Sequence, residues 1–410
     1  MNEYFKAEEL VRELKVSERT VYRWVEETKL GELKLDLIDR GEKSFIAKTD
    51  SNLRLLKALA KKRLKFKNKR SLVNVKASGT FYKVFTENHI FDLIKSIEIS
   101  REIPLKYSYL NGGASSWDLY ARKLWSVEET TPKTKELTSH VSGYILSLVK
   151  KYKKVNIIDI GPGNGLPVKE ILGELVSLEK LNKYIAIDIS PDMLEILSKN
   201  IKNWFGDKVD FEGIVGDITR DTFQSTAFRN ISYEGENTSV INVILYLGGS
   251  VENDSNYSQQ LGIINSSMSS NDIFILEQGV DNGTKDLRFR FGKENIQSQT
   301  ADLAHRKMVL DLLGIDESLY NVERFYSDEI KAKVINVRFT KDVVVSIESK
   351  SINRNLIFQK GDALTIWRYN CHSTMEVIRE LNDSGFHLLS IATSLNKESA
   401  IFITEIRKAN

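Results

Sequence analysis

Cysteine is nearly absent from this chain: its 410 residues include only Cys371. A single thiol excludes an intrachain disulfide, so the sequence favours a reducing, cytoplasmic compartment. The first residues, MNEYFKAEELVREL, are charged and lack the apolar core of a signal peptide, so a secretory signal is not expected. No apolar run approaches the roughly 18 residues that a membrane-spanning helix needs. We therefore expect no membrane partner.

Net charge is also small, +3 over the whole chain, but it is unevenly distributed. Residues 1–80 contain 20 lysines and arginines and only 12 aspartates and glutamates, which leaves the rest of the chain mildly acidic. The length and the ordinary 41% hydrophobic content predict two or three globular domains. The uneven charge predicts that the basic head and the acidic body have different partners.

The basic head has the pattern of two short helices followed by a β-hairpin. Ser17 is a plausible N-cap for a second helix from Glu18, and the alternating leucines before the sequence RGEK predict a two-stranded wing. Residues 1–60 resemble winged helix-turn-helix domains of the excisionase and MerR-like kind, which implies DNA binding and, as one arrangement, a homodimer. Four residues of the second helix are expected to face outward, toward DNA: Arg19, Thr20, Tyr22 and Arg23.

Residues 61–80 form a predicted basic linker, with seven basic residues between Lys61 and Arg70. This segment is either a solvated helix end or an extension that contacts phosphates and adds salt-dependent affinity for DNA. The alternative for the whole head is a helix-turn-helix that is used for protein contact or dimerisation.

A glycine-rich turn, NIIDIGPGNG at 156–165, follows a predicted buried strand and precedes a segment with helical spacing. Glycine in such a turn lets a ligand approach the backbone closely. Neither the dinucleotide spacing G-x-G-x-x-G nor the phosphate-binding G-K-S/T is present. The pattern acid-x-G-x-G-x-G is similar to motif I of the Rossmann-like S-adenosylmethionine (SAM) methyltransferases, and the resemblance implies SAM as cofactor.

Later acids agree with this interpretation. Asp188 ends a second apolar strand, where a carboxylate can accept hydrogen bonds from both ribose hydroxyls. Asp217 follows a third strand, and the resemblance implies that it pairs with the adenine amino group while Ile218 packs on the ring. The cofactor-binding residues implied in this way are Asp159, Gly161, Gly163, Asn164, Gly165, Asp188, Asp217, Ile218, Tyr246 and Gly248.

The last two apolar segments, FHLLSIATS and SAIFITEI, predict a closing antiparallel pair of strands, a feature of the methyltransferase sheet. The expected fold class is therefore α/β: a class I Rossmann-like SAM methyltransferase sheet with a β-containing substrate lobe, preceded by a small winged helix-turn-helix domain. The core is expected at about 135–280 and 375–408, and the lobe at 81–134 and 285–374. Another doubly wound fold with a glycine turn is the alternative.

Three further segments are PLKYSYLNGGASSWDLY at 104–120, YLGGSVEN at 246–253 and FQKGDALTIWRYNCHS at 358–373. In this order they resemble the histidine-specific SAM-dependent methyltransferases, which trimethylate the α-amino group of histidine in ergothioneine synthesis. The resemblance implies substrate contacts from Asn253, Tyr109 and Tyr369. Trp367 and Tyr369 stand where the family has the Glu and Ser that grip the imidazole, so the histidine-reading part departs from the family.

We therefore predict a SAM-dependent methyltransferase that N-methylates a small amino-acid-like amine and carries a DNA-binding head. One alternative is a transcription regulator whose methyltransferase-like domain senses SAM or a metabolite without turnover. A nucleic-acid methyltransferase is a second alternative, although the chain has LYLGG where amino-methylating DNA enzymes have D/N-P-P-Y/F to stack a flipped base. No catalytic base is assigned, and the histidines lack the spacing of metal ligands.

Overall fold

A computed structural model describes residues 4–14, 16–29, 33–40, 43–67, 72–126, 131–224, 240–248, 251–281, 283, 300–395 and 397–407. The chain divides into two compact units, Met1–Val73 and Asn74–Asn410. Among the described helices, none combines the length and hydrophobicity needed to cross a bilayer.

Within the residues that the structure describes, the first unit forms three helices and one hairpin. Its elements are α1 (Ala7–Leu14), α2 (Glu18–Lys29), β1 (Leu37–Arg40), β2 (Lys43–Ile46) and α3 (Asp50–Lys67), with β1 and β2 antiparallel. Leu10, Trp24 and Leu56 are buried together in its core. The buried Asn52 amide of α3 donates to the carbonyls of Asp36 and Ala47, which fixes the helix against the hairpin.

The second helix begins at Glu18, as predicted, and α3 continues into the segment that was expected to be a linker. The basic side chains from Lys61 to Arg70 lie outside the part of the chain whose side chains the structure describes.

A seven-stranded sheet forms the centre of the second unit, in the order β14-β15-β8-β7-β4-β5-β6. Its strands are β4 (Lys154–Ile160), β5 (Leu181–Asp188), β6 (Phe211–Val215), β7 (Val240–Tyr246), β8 (Ile273–Gly279), β14 (Phe386–Thr393) and β15 (Ser399–Ile406). The five neighbouring strands β6, β5, β4, β7 and β8 are parallel to one another, and β15 is antiparallel to both of its neighbours, β8 and β14. The predicted closing antiparallel pair is confirmed.

Helices cover both faces of this sheet, which is why its central strands are almost continuously apolar. The helices are α7 (Thr131–Leu148), α8 (Lys169–Ser177), α9 (Pro191–Phe205), α10 (Tyr257–Ser267) and α12 (Thr374–Asp383). The segment with helical spacing after the glycine turn forms α8, whose buried face comprises Ile171, Leu172 and Leu175, with Val168 buried just before the helix. Ser190 caps α9 by accepting a hydrogen bond from the Met193 backbone N–H, with Pro191 at the first helical position.

The remaining elements of the second unit form two small sheets and several helices. The helices are α4 (Phe81–Val84), α5 (Glu87–Ser100), α6 (Gly113–Ser126) and α11 (Thr300–Leu312), with 3₁₀ turns at Leu105–Tyr109, Val251–Asn253 and Glu317–Leu319. The strands are β3 (Val73–Lys76), β9 (Tyr320–Ser327), β10 (Ala332–Phe339), β11 (Val343–Glu348), β12 (Asn353–Phe358) and β13 (Ala363–Asn370). They pair in the orders β13-β10-β9 and β12-β11-β3. Five of these strands, β9 to β13, lie in the segment 285–374 that was expected to belong to a β-containing lobe.

Candidate functional site

A cavity of about 430 Å³ lies in the second unit at the carboxyl ends of β4 and β5. This is the edge at which parallel α/β sheets bind ligands. The predicted site residues that line it are Tyr109, Gly161, Gly163, Asp188, Asp217, Ile218, Tyr246 and Asn253. Residues predicted separately from five sequence segments thus meet at one cavity.

The glycine turn reaches this cavity as bare backbone. Gly161, Gly163 and Gly165 have φ angles of +57°, +55° and +80°, values that residues with a side chain rarely adopt. Gly163 also packs near the indole nitrogen of Trp117, to which a Cβ atom would lie 3.5 Å away. The turn therefore leaves room for a ligand that contacts backbone.

Asp188 presents a carboxylate to the cavity from the end of β5. One oxygen accepts a hydrogen bond of 2.9 Å from the Ser190 backbone N–H. Burial raises the pKa of Asp188 to about 6, although the backbone donors of Ser190 and Ile189 act in the opposite direction. A carboxylate in this state gains from further donors, such as a pair of hydroxyls.

Asp217 is already tied into an ion pair with Lys106. The Lys106 ammonium lies 2.8 Å from Asp217 and 3.2 Å from Asp92 of α5, and it also donates to the Thr219 hydroxyl. Burial acts to raise the pKa of Asp217, but Lys106 and the Thr219 donors outweigh it and hold that pKa below its ordinary value. Asp217 is therefore ionised at neutral pH and fixed in position.

The other predicted cofactor residues lie off the cavity wall: Asp159, Asn164, Gly165 and Gly248. Asp159 is buried and accepts a hydrogen bond of 3.0 Å from the Tyr184 hydroxyl. Burial, with the nearby Asp188 charge, raises its pKa to about 7. Gly165 packs against α9, where a Cβ atom would lie only 2.4 Å from Leu197 Cδ1. Asp159 and Gly165 therefore contribute to the shape of the turn in this structure.

Asn164 is buried in a ring of polar contacts that joins the glycine turn to α6 and α9. Its amide donates to Asp118, and its backbone carbonyl accepts from Asn200. Arg122 closes the ring by donating to both Asp118 and Asn200. The backbone N–H of Gly248, in contrast, donates to the Glu277 carboxylate near the end of β8.

Three hydrogen-bonded side chains, Tyr246, Gln260 and Asp254, line the cavity near the acceptor residues predicted from sequence. The Tyr246 hydroxyl donates to Gln260 at 3.0 Å, and the Gln260 amide donates to Asp254 at 2.6 Å. Tyr109 packs edge-on against Trp117, with ring centroids 5.7 Å apart. Glu102 also reaches the wall, and Arg368 of β13 lies 3.0 Å from its carboxylate.

Tyr369 is the one predicted acceptor residue that does not line this cavity. Its hydroxyl lies 3.3 Å from the buried Glu252, next to the residue Asn253. The same Glu252 oxygen accepts the Gly279 backbone N–H at 2.6 Å. Burial raises the pKa of Glu252 to about 8, so this pair is mainly neutral near pH 7.

Sequence reasoning did not identify Glu102, Lys106, Asp254 or Gln260. Lys106 stands inside the quoted segment PLKYSYLNGG, and Asp254 directly follows the predicted Asn253. Lys106 and Asp254 could therefore have been found from sequence, because each lies within or beside a quoted segment. Glu102 gave no such signal, because its partner Arg368 is distant in the chain, and Gln260 lies outside the quoted segments.

In the first unit, Arg19, Tyr22 and Arg23 are exposed on α2. The expectation that Thr20 faces outward is wrong: it is only 3% exposed, and its hydroxyl contacts that of Ser17 at 2.8 Å. Thr20 stands one turn before Trp24, on the apolar side of α2, which explains its orientation.

Comparison with known proteins bears on the second unit. Residues 91–405 match the model of a family described as histidine-specific methyltransferase, SAM-dependent. No curated protein is similar enough to the chain to be matched.

Among solved structures, a SAM-dependent methyltransferase from Clostridium acetobutylicum is 10% identical, with 71% of this chain and 99% of that chain covered and a TM-score of 0.37. Magnesium protoporphyrin IX methyltransferase from Synechocystis, solved with S-adenosylhomocysteine, is 11% identical, with 74% and 98% covered and a TM-score of 0.37. An amino pentose methyltransferase from Micromonospora echinaspora is 10% identical, with 70% and 95% covered and a TM-score of 0.34.

The strand order and the family match together define a SAM-dependent methyltransferase with the class I fold. The family model covers most of the chain, and the chain belongs to the histidine-specific SAM-dependent methyltransferase family. Its cofactor is SAM.

Proposed function

We propose that this protein N-methylates a small amino-acid-like amine at the cavity beside the glycine turn, and that its first unit binds DNA. The observation that carries the first part is the meeting of the glycine turn, Asp188, Tyr109 and Asn253 at one cavity. Family membership supports SAM as the methyl donor.

The cavity fits the parts of SAM. Gly161 and Gly163 would lie against the methionine portion, since neither residue has a side chain that covers its own backbone. Asp188 would accept the ribose hydroxyls, and Asp217 with Ile218 would hold the adenine. Asp159, Asn164, Gly165 and Gly248 would support these residues by shaping the turn and its neighbouring strand end.

SAM supplies a methyl group on a positively charged sulfur. The residues around the acceptor therefore have mainly to orient a nucleophile and exclude water. Tyr246, Asn253 and Tyr109 line the cavity and offer polar or aromatic contacts. Tyr369 would support Asn253 indirectly, because its hydroxyl contacts the preceding residue Glu252. The absence of the family's Glu and Ser at Trp367 and Tyr369 favours an acceptor other than histidine.

The DNA-binding proposal rests on the first unit. Arg19, Tyr22 and Arg23 share the exposed side of α2, next to a two-stranded hairpin, and a strongly basic segment follows in the sequence at 61–70. This combination fits a winged helix-turn-helix, in which the second helix enters the major groove and arginines contact phosphates. We further propose a homodimer, since such heads often bind paired half-sites, and a cytoplasmic location.

Calorimetric titration of the full chain with SAM and with S-adenosylhomocysteine tests the enzyme proposal first. A methyl-release assay against histidine and a panel of amino acids follows. Binding with turnover would support an enzyme and identify its acceptor class, whereas binding without turnover would favour a regulator that senses SAM. Failure to bind either compound would overturn the proposed site.

Selection of DNA sequences by the full chain tests the head. We expect an enriched site, bound more weakly as salt rises, and weaker binding by a variant with Arg19→Ala and Arg23→Ala. Absence of any enriched site would contradict DNA recognition and favour a protein-contact role for the first unit.

A further inference from the structure

Besides Asp92, which pairs with Lys106, two acidic side chains outside the predicted site line the cavity. Glu102 comes from the loop after α5, and Asp254 follows the 3₁₀ turn Val251–Asn253. The Glu102 side chain is only 5% exposed. Burying carboxylates in this way is costly unless a positive or hydrogen-bonding partner is present, so their partners decide what the pair can do.

Glu102 has one cationic neighbour. The Arg368 guanidinium lies 3.0 Å from its Oε2 atom and forms an ion pair with it, and Oε2 has no further hydrogen bond among the residues that the structure describes. Glu102 therefore keeps the capacity to accept a proton or a hydrogen bond from a ligand.

Asp254 is held rigidly. Its two oxygens accept from the Asn256 backbone N–H at 2.8 Å and from the Gln260 amide at 2.6 Å. The Tyr246 hydroxyl donates to the oxygen of the same Gln260 amide, which fixes that amide's orientation. Asn370 donates to the Asp254 carbonyl and so ties β13 to the turn. The Asp254 carboxylate is thus a preset acceptor on the wall.

The other charges on the wall do not compensate this pair. Lys106 is engaged with Asp92 and Asp217. Lys95 and Arg220 are exposed. A ligand that complements Glu102 and Asp254 is consequently a cation with N–H donors.

We propose that Glu102 and Asp254 form the subsite for the acceptor's ammonium group, and that Glu102 removes its proton. In that step an N–H bond of the ammonium breaks, its electron pair stays on nitrogen, and the proton bonds to a Glu102 oxygen. A neutral amine and a neutral carboxyl group result. This inference deepens the proposed function and rests on it, because it assigns the acceptor a positive charge before reaction.

The ionisation of Glu102 suits this role. Burial raises its pKa to about 7, the Arg368 charge opposes that rise, and the Asp254 charge adds to it. These two groups, from β13 and from the turn after Asn253, are the charges that act on Glu102. A carboxyl that titrates near neutrality can both bind a cation and hold its proton.

Binding to the complex with S-adenosylhomocysteine tests the subsite without requiring turnover. The probe is 1,4-diaminobutane, with uncharged 1,4-butanediol as the matched control ligand. We expect the diamine to bind more tightly than the diol, and Glu102→Gln and Asp254→Asn each to weaken the diamine by about 10- to 100-fold. Glu98→Gln, an exposed carboxylate on α5, is the control variant.

The pH dependence separates this role from a structural one. Because a carboxylate binds a cation only when ionised, diamine affinity should rise by roughly tenfold from about pH 6 to about pH 8. Glu102→Gln should flatten this rise, while Asp254→Asn should keep a rise that is shifted to lower pH, because the Asp254 charge no longer raises the Glu102 pKa. A methyl-release assay with any accepted amine should show the same limb in kcat/KM.

The outcomes are distinct. If the wild-type chain does not bind S-adenosylhomocysteine, the proposed function fails. If it binds that compound but has no affinity for the diamine, or keeps it unchanged in both variants, the subsite is wrong. Retained S-adenosylhomocysteine binding in each variant shows that the variant has folded.

Discussion

Asp188 is the single residue whose loss tests the cofactor proposal most directly. It presents a partly buried carboxylate to the cavity at the end of β5. Asp188→Ala should weaken SAM binding by about 100-fold or more, because two hydrogen bonds to a charged acceptor are lost. Calorimetric titration measures this, with Asp192→Ala on the exposed side of α9 as control. Unchanged affinity in Asp188→Ala would show that the ribose lies elsewhere.

The ionisation of Asp188 gives a second prediction. Burial raises its pKa to about 6, and a ligand that needs the ionised carboxylate must draw it back down. Affinity for S-adenosylhomocysteine should therefore be full above about pH 7 and fall as the pH drops through about 6. Titrations across this range measure the effect, and Asp188→Asn should remove it. A flat profile in the wild-type chain would argue against the assignment.

Gly165 combines a positive φ angle with close packing, and both are incompatible with a side chain. Gly165→Ala would place a Cβ atom 2.4 Å from Leu197 Cδ1 at a φ of +80°. We expect a loss of about 2–4 kcal/mol in the free energy of unfolding. Gly143→Ala in α7 is the matched control, since no atom lies within 4 Å of its Cβ position, and it should be neutral or stabilising. Equal effects in urea denaturation would refute the packing argument.

The sequence predicted single site residues best where an acid directly follows a strand. Asp188 was predicted because an acid after an apolar strand reaches the ligand-binding edge of a parallel sheet, and Asp217 was predicted through the resemblance to SAM methyltransferases. Thr20 was placed on the wrong side of α2, because its polarity suggested exposure while its helical position put it beside Trp24. Glu102 was missed because only the folded chain brings it to Arg368.

At the scale of elements, the strands of the central sheet were predicted because burial on both faces makes them continuous apolar runs. Their order could be expected only through the resemblance, since apolar runs do not specify neighbours. Strand pairing in the small sheets could not be predicted: β3 pairs with β11, which lies more than 250 residues later in the chain. Short alternating strands indicate that a sheet exists but leave its partners undetermined.

Lys106 links three elements of the second unit, so its loss should affect stability. It joins the turn Leu105–Tyr109 to α5 through Asp92 and to the segment after β6 through Asp217. Lys106→Met leaves two carboxylates close together, so we expect a loss of about 1–3 kcal/mol in the free energy of unfolding near pH 7. The folded-state pKa of both acids lies below the ordinary value, so the loss should shrink as the pH falls below about 4.

Urea denaturation at the two pH values measures this effect. Lys199→Met is the control, because its pair with Glu195 is two-thirds exposed and such pairs contribute at most about 1 kcal/mol. A pH-independent loss in Lys106→Met would mean that packing of the side chain, rather than its charge, is responsible.

For the whole molecule, composition predicted a basic head and an acidic body, and the chain divides into two compact units. The sequence did not specify the boundary between the two units. The predicted linker ran to residue 80, but Ala77 donates its backbone N–H to Ser346 and Ser78 donates to Leu312, both in the second unit. These contacts are between residues distant in sequence, which no local pattern reveals.

The division predicts that the two proposed activities, SAM-dependent methyl transfer and DNA binding, are separable, provided that the cut precedes β3. A chain starting at Leu72 keeps this strand beside β11, and every residue lining the cavity remains. We expect its affinity for SAM to stay within about twofold of the full chain, since each unit has its own core. A chain starting at residue 81 should be less stable, because it lacks an edge strand. Calorimetry and thermal unfolding compare the three chains, and DNA binding should disappear from both shortened forms. Lost SAM binding in the chain from Leu72 would mean that the first unit is needed for the site, whereas retained DNA binding would move the nucleic-acid surface to the methyltransferase unit.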